Sequence, residues 1–171
     1  MKTDNFGVRL LIQDSPALIT PLSGRAYIGK LTETILNCKF ALDILQYQWN
    51  FYISKPDCEI QKLNRTIIEK AQNNIKIRVI LAKEGRDNHL TTINSLASKF
   101  LTEAGAKVKF GFTYPIVHSK LFIIDDDTFI LGSHNLSTRS ISVNWETSIL
   151  IKSKAGALEF RRYFNSLWDL L

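Results

Sequence analysis

The sequence predicts an α/β fold, a mixed β-sheet sandwiched between helices in a single domain over residues 1–171. Two periodicities alternate along the chain: apolar residues three and four apart, the spacing of a helix face, give way repeatedly to apolar residues at every second position, the spacing of a strand face. That alternation packs helices against a sheet. A third observation sets the scale. With 171 residues and 45% hydrophobic content, the chain suits one compact core, and no repeat, low-complexity tract or linker divides it.

In chain order, residues 8–12 read as a short strand-like run. Ser23 is placed to cap a helix carrying Tyr27, Ile28, Leu31 and Ile35 on one face. A strand follows over 45–51, where Leu45, Tyr47, Trp49 and Phe51 alternate with Gln46, Gln48 and Asn50. After Pro56 and Asp57 a second helix has Ile60, Leu63, Ile67 and Ala71 in register, and Ile75, Ile77, Val79 and Leu81 form the next strand. A third helix carries Ile93, Leu96, Phe100 and Ala104 and stops at Gly105, ahead of a strand over 108–110. A hairpin over 118–135, a strand over 146–151 and a terminal helix with Phe160, Tyr163, Phe164 and Leu167 complete the layers. Loops 52–57, 83–89 and 111–117 form the rims of a site; they carry Lys55, Lys83, Arg86 and Tyr114, the last of which can stack on a base.

The hairpin carries the chemistry. His118 and Lys120, two apart on an apolar β-branched run, point to one face of a strand. Asp125, Asp126, Asp127 and Thr128 make an acidic turn, and residues 129–132 return as a strand. A tight hairpin pairing Ile124 with Phe129 sets Lys120 opposite Ser133 and His118 opposite Asn135, and opposed residues share a face. An ammonium, a hydroxyl and an amide can then hold phosphate oxygens while an imidazole attacks phosphorus or moves a proton. Asp125 is an odd number of residues from His118, so it is assigned to the turn and not to the chemistry. His134 faces away by the same parity, and His89 stands just ahead of a helix; both read as structural or solvent-exposed. No spacing suggests a metal site, and no cofactor is expected.

His118-x-Lys120 with Asp125 five residues on, followed by Gly132-Ser133-x-Asn135, resembles the signature of the phospholipase D superfamily, in its single-motif, nuclease-like branch. Glu146 falls where that family's histidine-orienting acid lies. The likeness extends more weakly from residue 21 to the C-terminus, and residues 23–51 resemble the start of the compact nuclease members. The resemblance implies a phospholipase D-like fold and two-step phosphodiester hydrolysis through a covalent phosphohistidine on His118. It implies a Glu146 carboxylate accepting a hydrogen bond from the imidazole, with Lys120, Asn135 and Ser133 holding the phosphate. Two histidines are needed and the chain has one motif, so it also implies a homodimer with a composite site.

A formal charge of +6 and a pI near 9.4 favour a polyanionic partner; the expected substrate is DNA, with RNA second, a choice that the charge does not make. Cys38 and Cys58 are too few for a disulfide framework and read as reduced thiols. No segment has the length of a membrane span and no signal peptide opens the chain, so a cytoplasmic protein without stable membrane association is expected. A nuclease is the reading that charge and motif count favour. A phospholipase or phosphatidyl transferase would want an acyl channel or interfacial helix, and a binding module with vestigial chemistry would not keep His118, Lys120, Asn135 and Glu146 intact.

Overall fold

The structure, a computed structural model, describes residues 17–85 and 88–171. The expected strand at 8–12 and the loop residue Arg86 lie outside the described residues. β1 (Leu18–Ser23) sits at one edge of the sheet, the position that tolerates a residue such as Pro21 that cannot donate to a ladder. Ser23 ends this strand opposite Thr147 and does not cap the helix; Gly24, at φ 50°, turns the chain into α1 (Arg25–Leu36). Only a residue without Cβ takes that dihedral at little cost. α1 buries Tyr27, Ile28, Leu31 and Ile35, the stripe that its spacing predicts.

The next strand, β2 (Ala41–Gln46), starts and stops earlier than the expected 45–51. It lies between β3 and β5 and is covered on both faces, so its burial is nearly continuous instead of alternating. Beyond Gln46 the chain leaves the sheet, and Trp49 forms a parallel bridge with Leu136 in the segment after β6. Trp49 goes into the core because its two N–H groups find partners there, the backbone N–H at Asn94 Oδ1 (2.9 Å) and the indole at Asn64 Oδ1 (2.8 Å).

α2 (Glu59–Gln72) buries Ile60, Leu63 and Ile67, and β3 (Lys76–Leu81) runs parallel to β2. α3 (His89–Glu103) buries Leu90, Asn94, Ala97 and Leu101, while the expected Leu96 is exposed. The helix is rotated because Asn94, a polar residue, faces inward. Its Nδ2 donates to Tyr47 O (2.7 Å) and Ala82 O (2.9 Å), so its burial is compensated. β4 (Lys107–Phe110) pairs parallel with β3 at the far edge. β5 (Lys120–Ile124), β6 (Thr128–Gly132) and β7 (Thr147–Lys152) follow as antiparallel neighbours, with the five-residue α4 (Thr138–Ser142), unforeseen from the sequence, between the last two. α5 (Lys154–Leu170) buries Phe164 but leaves Tyr163 exposed.

The resulting sheet has the order β1-β7-β6-β5-β2-β3-β4. α1, α2 and α3 cover one face over Leu42, Ile44, Phe122 and Ile124; α5 covers the other over Leu45, Leu121, Ile123 and Phe129. This is the sandwiched mixed sheet that the alternating periodicities predict. No helix among the described residues is long and apolar enough to cross a membrane. α5 is also docked by charge: Asp43, 2% exposed on β2, accepts from Arg78 Nε (2.7 Å) and Arg161 Nε (3.0 Å).

The hairpin register differs by one residue from the expected one. Ile124 pairs with Thr128 and Leu121 with Leu131, leaving Asp125, Asp126 and Asp127 as a three-residue loop. By extension Lys120 stands opposite Gly132 and not Ser133, and His118 is not paired with Asn135. Asp125 takes φ 49° and turns its carboxylate back onto the N–H groups of Lys39 (2.9 Å), Phe40 (3.0 Å) and Ala41 (3.1 Å). The carboxylate thus holds the turn, as its strand parity predicts. At the other end, a Cβ on Gly132 would lie 2.0 Å from Ser148 Oγ and 2.4 Å from Ser148 Cα, so only glycine fits.

Burial pushes the Asp125 carboxyl up, but the donated N–H groups of Phe40, Lys39 and Ala41 outweigh it and hold the group below its usual range. A depressed carboxylate contributes stability above the unfolded-state pKa and loses it as pH falls through the folded value. Asp125→Asn should therefore cost about 1–3 kcal/mol in urea unfolding at pH 7. The gap to wild type should shrink below about pH 4, where the unfolded carboxyl protonates.

Candidate active site

Parallel strands β2, β3 and β4 end at one edge of the sheet, where β5 begins, and open α/β sheets present ligands at such carboxyl ends. Lys120 opens β5 opposite Gln46, the last residue of β2. His118 lies two residues earlier and is exposed, whereas Lys120 is buried. Lys120 Nζ donates to His118 O (2.6 Å), lies 3.4 Å from His118 Nε2, and stands over the Tyr47 ring at 4.8 Å. The imidazole and the Tyr47 ring are 4.7 Å apart at a tilt of 58°. The strand parity of the two signature residues thus brings them together.

Both pKa values are lowered, which favours a neutral imidazole but works against the charge on the lysine. Burial, then the charge of Lys120, lowers His118. Burial lowers Lys120 as well, opposed by the charge of Glu146. A neutral imidazole beside a cation is the protonation state that a nucleophile needs.

The residues after β6 reach the same edge by a different route from a regular strand. Ser133 N–H donates to Thr147 O (2.9 Å) and Thr147 N–H to Ser133 Oγ (3.1 Å), fixing the serine on β7. The chain then crosses to the segment after β2, where Leu136 N–H donates to Gln48 O (3.0 Å) and Asn50 N–H to Leu136 O (2.9 Å). Asn135 is held between these anchors, its N–H on Ser140 Oγ (2.8 Å), and its Oδ1 is buried with no partner among the described residues. His134 is wholly buried, stacked on Tyr27 at 4.0 Å and 4°, with Nδ1 2.8 Å from Ser148 Oγ.

Glu146 departs from the contact that the family resemblance implies. Its Oε1 accepts from Ser140 Oγ (2.9 Å) and Asn144 Nδ2 (3.2 Å), and its charge acts on Lys120 and His134, not on His118. Burial raises the carboxyl, but hydrogen bonds from Ser133, Asn144 and Ser140 and the charge of His134 bring it below its usual range, so it is ionised near neutral pH. Its link to the pair runs through the lysine.

The loop residues are less well placed. Tyr114 is 91% exposed, and Lys83 lines a small groove with Thr91, Ser95 and Phe110. Two other surface concavities, one around Asp125 and Lys152 and one around Lys76 and Arg161, lie at the opposite end of the sheet. The sequence reading missed Tyr47, Gln46, Ser140 and Glu84, whose carboxylate accepts from Tyr47 Oη at 3.1 Å. Tyr47 was hidden in an alternation that reads as core; its place just past the end of a central strand is the signal that could have found it.

The family profile described as "Cardiolipin synthase, PLD-like domain" matches residues 31–168. The chain belongs to the phospholipase D-like family. Among curated relatives, it is 23% identical over 146 residues to the mitochondrial cardiolipin hydrolase of Canis lupus familiaris, covering 85% of this chain and 52% of that protein. It is 21% identical over 161 residues to the 5'-3' exonuclease PLD3 of Macaca fascicularis, covering 88% and 31%. The chain therefore spans about half or a third of these relatives. Two solved structures share the fold over nearly their whole length. Nuc from Salmonella typhimurium has a TM-score of 0.74 at 15% identity, covering 90% of this chain and 95% of that one; NucT from Helicobacter pylori has 0.72 at 21%, covering 90% and 97%.

The Lys120 charge acting on His118 is directly measurable. In Lys120→Met the imidazole loses the cation that lowers it, so the His118 midpoint in an NMR pH titration should rise towards about 6.5, the value of a free side chain.

Proposed function

We propose that this chain is one phosphodiesterase domain acting as a metal-independent endonuclease on DNA, through a covalent phosphohistidine in a homodimeric site. The observation that carries the reading is the pair at the start of β5: an exposed imidazole, biased towards neutrality, 3.4 Å from a buried ammonium. A His118 ring nitrogen attacks phosphorus while the P–O bond to the leaving alkoxide breaks, and a second, protonated imidazole gives that alkoxide its proton. Water then attacks phosphorus, the P–N bond breaks, and the second imidazole takes the proton from water. Lys120 and Asn135 hold the oxygens on which charge builds, and Ser133 orders the turn that carries Asn135. Glu146 acts at a distance, keeping Lys120 protonated.

The second imidazole comes from another copy of the chain. His134 is sealed between Tyr27 and Ser148 and cannot touch a substrate, and His89 is the first residue of α3. His118 is exposed at the sheet edge, open to its mate across a two-fold axis. A nucleic acid substrate fits the charge of +6 and the relative named as an exonuclease. A phospholipid is the second reading. It is favoured by Trp145 and Val143, fully and mostly exposed beside Glu146, and fits the relative named as a cardiolipin hydrolase.

Purified protein incubated with single- and double-stranded DNA, RNA and phosphatidyl vesicles separates these readings. DNA cleavage should persist in excess EDTA, because Lys120 and Asn135 supply the charge stabilisation that divalent ions give two-metal nucleases. Loss in chelator with rescue by magnesium would overturn the mechanism, and cleavage of the lipid alone would select the second reading.

His118→Ala should lower turnover by more than about a hundredfold, at least the worth of a proton-transfer role, with the urea midpoint little changed. On mixing with wild type under random assortment, activity should fall with roughly the square of the wild-type fraction. A linear fall would mean that each subunit works alone.

A further inference from the structure

The aromatic ring that touches both signature residues is itself held from behind. Tyr47 leaves the end of β2 with its carbonyl accepting from Asn94 Nδ2 (2.7 Å) and its hydroxyl donating to Glu84 Oε1 (3.1 Å). Glu84 is fixed in turn by α3, its N–H donating to Thr91 Oγ1 (3.0 Å) and its carbonyl accepting from the same hydroxyl (2.9 Å). α3 thereby clamps the tyrosine at its backbone and, through Glu84, at its hydroxyl. On the near side the ring meets the His118 imidazole at 4.7 Å and Lys120 Nζ at 4.8 Å.

We infer that Tyr47, held by Glu84, is a positioning residue that fixes His118 and Lys120 as a pair and stabilises positive charge on either. The inference rests on the phosphodiesterase reading above and deepens it. An aromatic face attracts cations, and a phenol bonded to a carboxylate turns its dipole so that the negative end faces the site. Burial, then the hydrogen bond and charge of Glu84, raises the Tyr47 phenol, so it stays a proton donor across the neutral range. The reaction needs this support when it makes cations. One imidazole of the composite site is protonated, and the attacking imidazole becomes cationic as its nitrogen bonds to phosphorus. Lys120 by itself opposes both events, since its charge lies 3.4 Å from His118 Nε2. The Tyr47–Glu84 pair is the counterweight. Among the described residues, the charged groups linked to the imidazole are Lys120 from β5, beside it, Glu84, hydrogen-bonded to the Tyr47 hydroxyl, and Glu146, whose charge acts on Lys120. Lys83, next to Glu84 in the chain, lies in the groove with Thr91 and Phe110.

The test compares Tyr47→Phe and Glu84→Gln with wild type by two readouts. The first is the His118 NMR titration, which needs no activity; the second is kcat and KM against pH with bis(p-nitrophenyl) phosphate as the probe. Each variant keeps the ring and removes only the phenol–carboxylate contact behind it, so each should lower the His118 midpoint by roughly 0.2–0.4 pH unit, less than the loss of one exposed cation–π contact, and move the acid limb of kcat the same way. KM should change by less than about twofold, because the binding contacts are kept. Tyr47→Leu, which removes the ring, should lower kcat by about tenfold to a hundredfold through loss of orientation. A midpoint that fails to fall in either Tyr47→Phe or Glu84→Gln overturns the inference; both keep the side-chain volume, so the outcome does not depend on the fold surviving Tyr47→Leu. If the midpoint falls in both but no variant and no wild-type protein cleaves the probe, the charge-stabilising role stands and the phosphodiesterase reading fails.

Discussion

The β5–β6 hairpin is pinned at both ends, and the placement of every candidate residue depends on it. At the turn, one carboxylate collects three backbone N–H groups from Lys39, Phe40 and the first residue of β2, Ala41, so Asp125 ties the hairpin to the strand beside it. At the site end, Gly132 lies so close to Ser148 that β6 and β7 have no room for a side chain between them. Between the pins, Leu121, Phe122, Ile123 and Ile124 of β5 are buried under helices on both faces. Each such apolar side chain contributes roughly 1.5–3 kcal/mol of burial. A slip of one residue would send every one of them to the opposite layer and break both pins at once. That is why Lys120 emerges at a single position, opposite Gln46 and under His118.

Holding an ammonium in that place has an electrostatic consequence. Lys120 is buried, which weakens its hold on its proton, and it sits against an imidazole that it drives towards neutrality. Ionised Glu146 keeps the lysine charged without bonding to it, from a cage of Ser140 and Asn144. The carboxylate is close enough to compensate the cation and too well occupied to quench it in a direct ion pair. A lysine kept charged but outside a direct ion pair retains N–H donors for an acceptor at the site.

A second charged cluster fixes the remaining layer. Asp43 receives Arg78 and Arg161, and Arg161 also reaches Asp126 in the hairpin turn. Arg78 lies over the Phe164 and Trp168 rings, so the guanidinium is stacked as well as paired. Removing either arginine would leave a buried carboxylate short of a partner, a larger cost than the pair's own net worth. α5 is therefore bound to β2, β3 and the β5–β6 turn by directional contacts as well as by its apolar face.

The sequence by itself determined what local spacing can encode. The stripes of α1 and α2, the alternating apolar run of β3 and the shared face of His118 and Lys120 follow from the periods of helix and strand, which any segment carries whatever its neighbours do. The odd offset that sets Asp125 apart from the chemistry is of the same kind. Tertiary structure decided whatever depends on a partner distant in the chain. The hairpin register turned on a left-handed Asp125, and that conformation is stabilised by N–H groups more than eighty residues away in sequence. Asn94 rotated α3 because its acceptors lie on the segments after β2 and β3, and Trp49 left the strand pattern for acceptors on α2 and α3. Glu146 found Ser140 and Asn144 where the family pattern offers it the imidazole, and Tyr47 met His118 only because β2 and β5 are paired. Hydrogen bonds and cation–ring contacts act over a few ångströms of space, and no period along the chain records which residues will be that close.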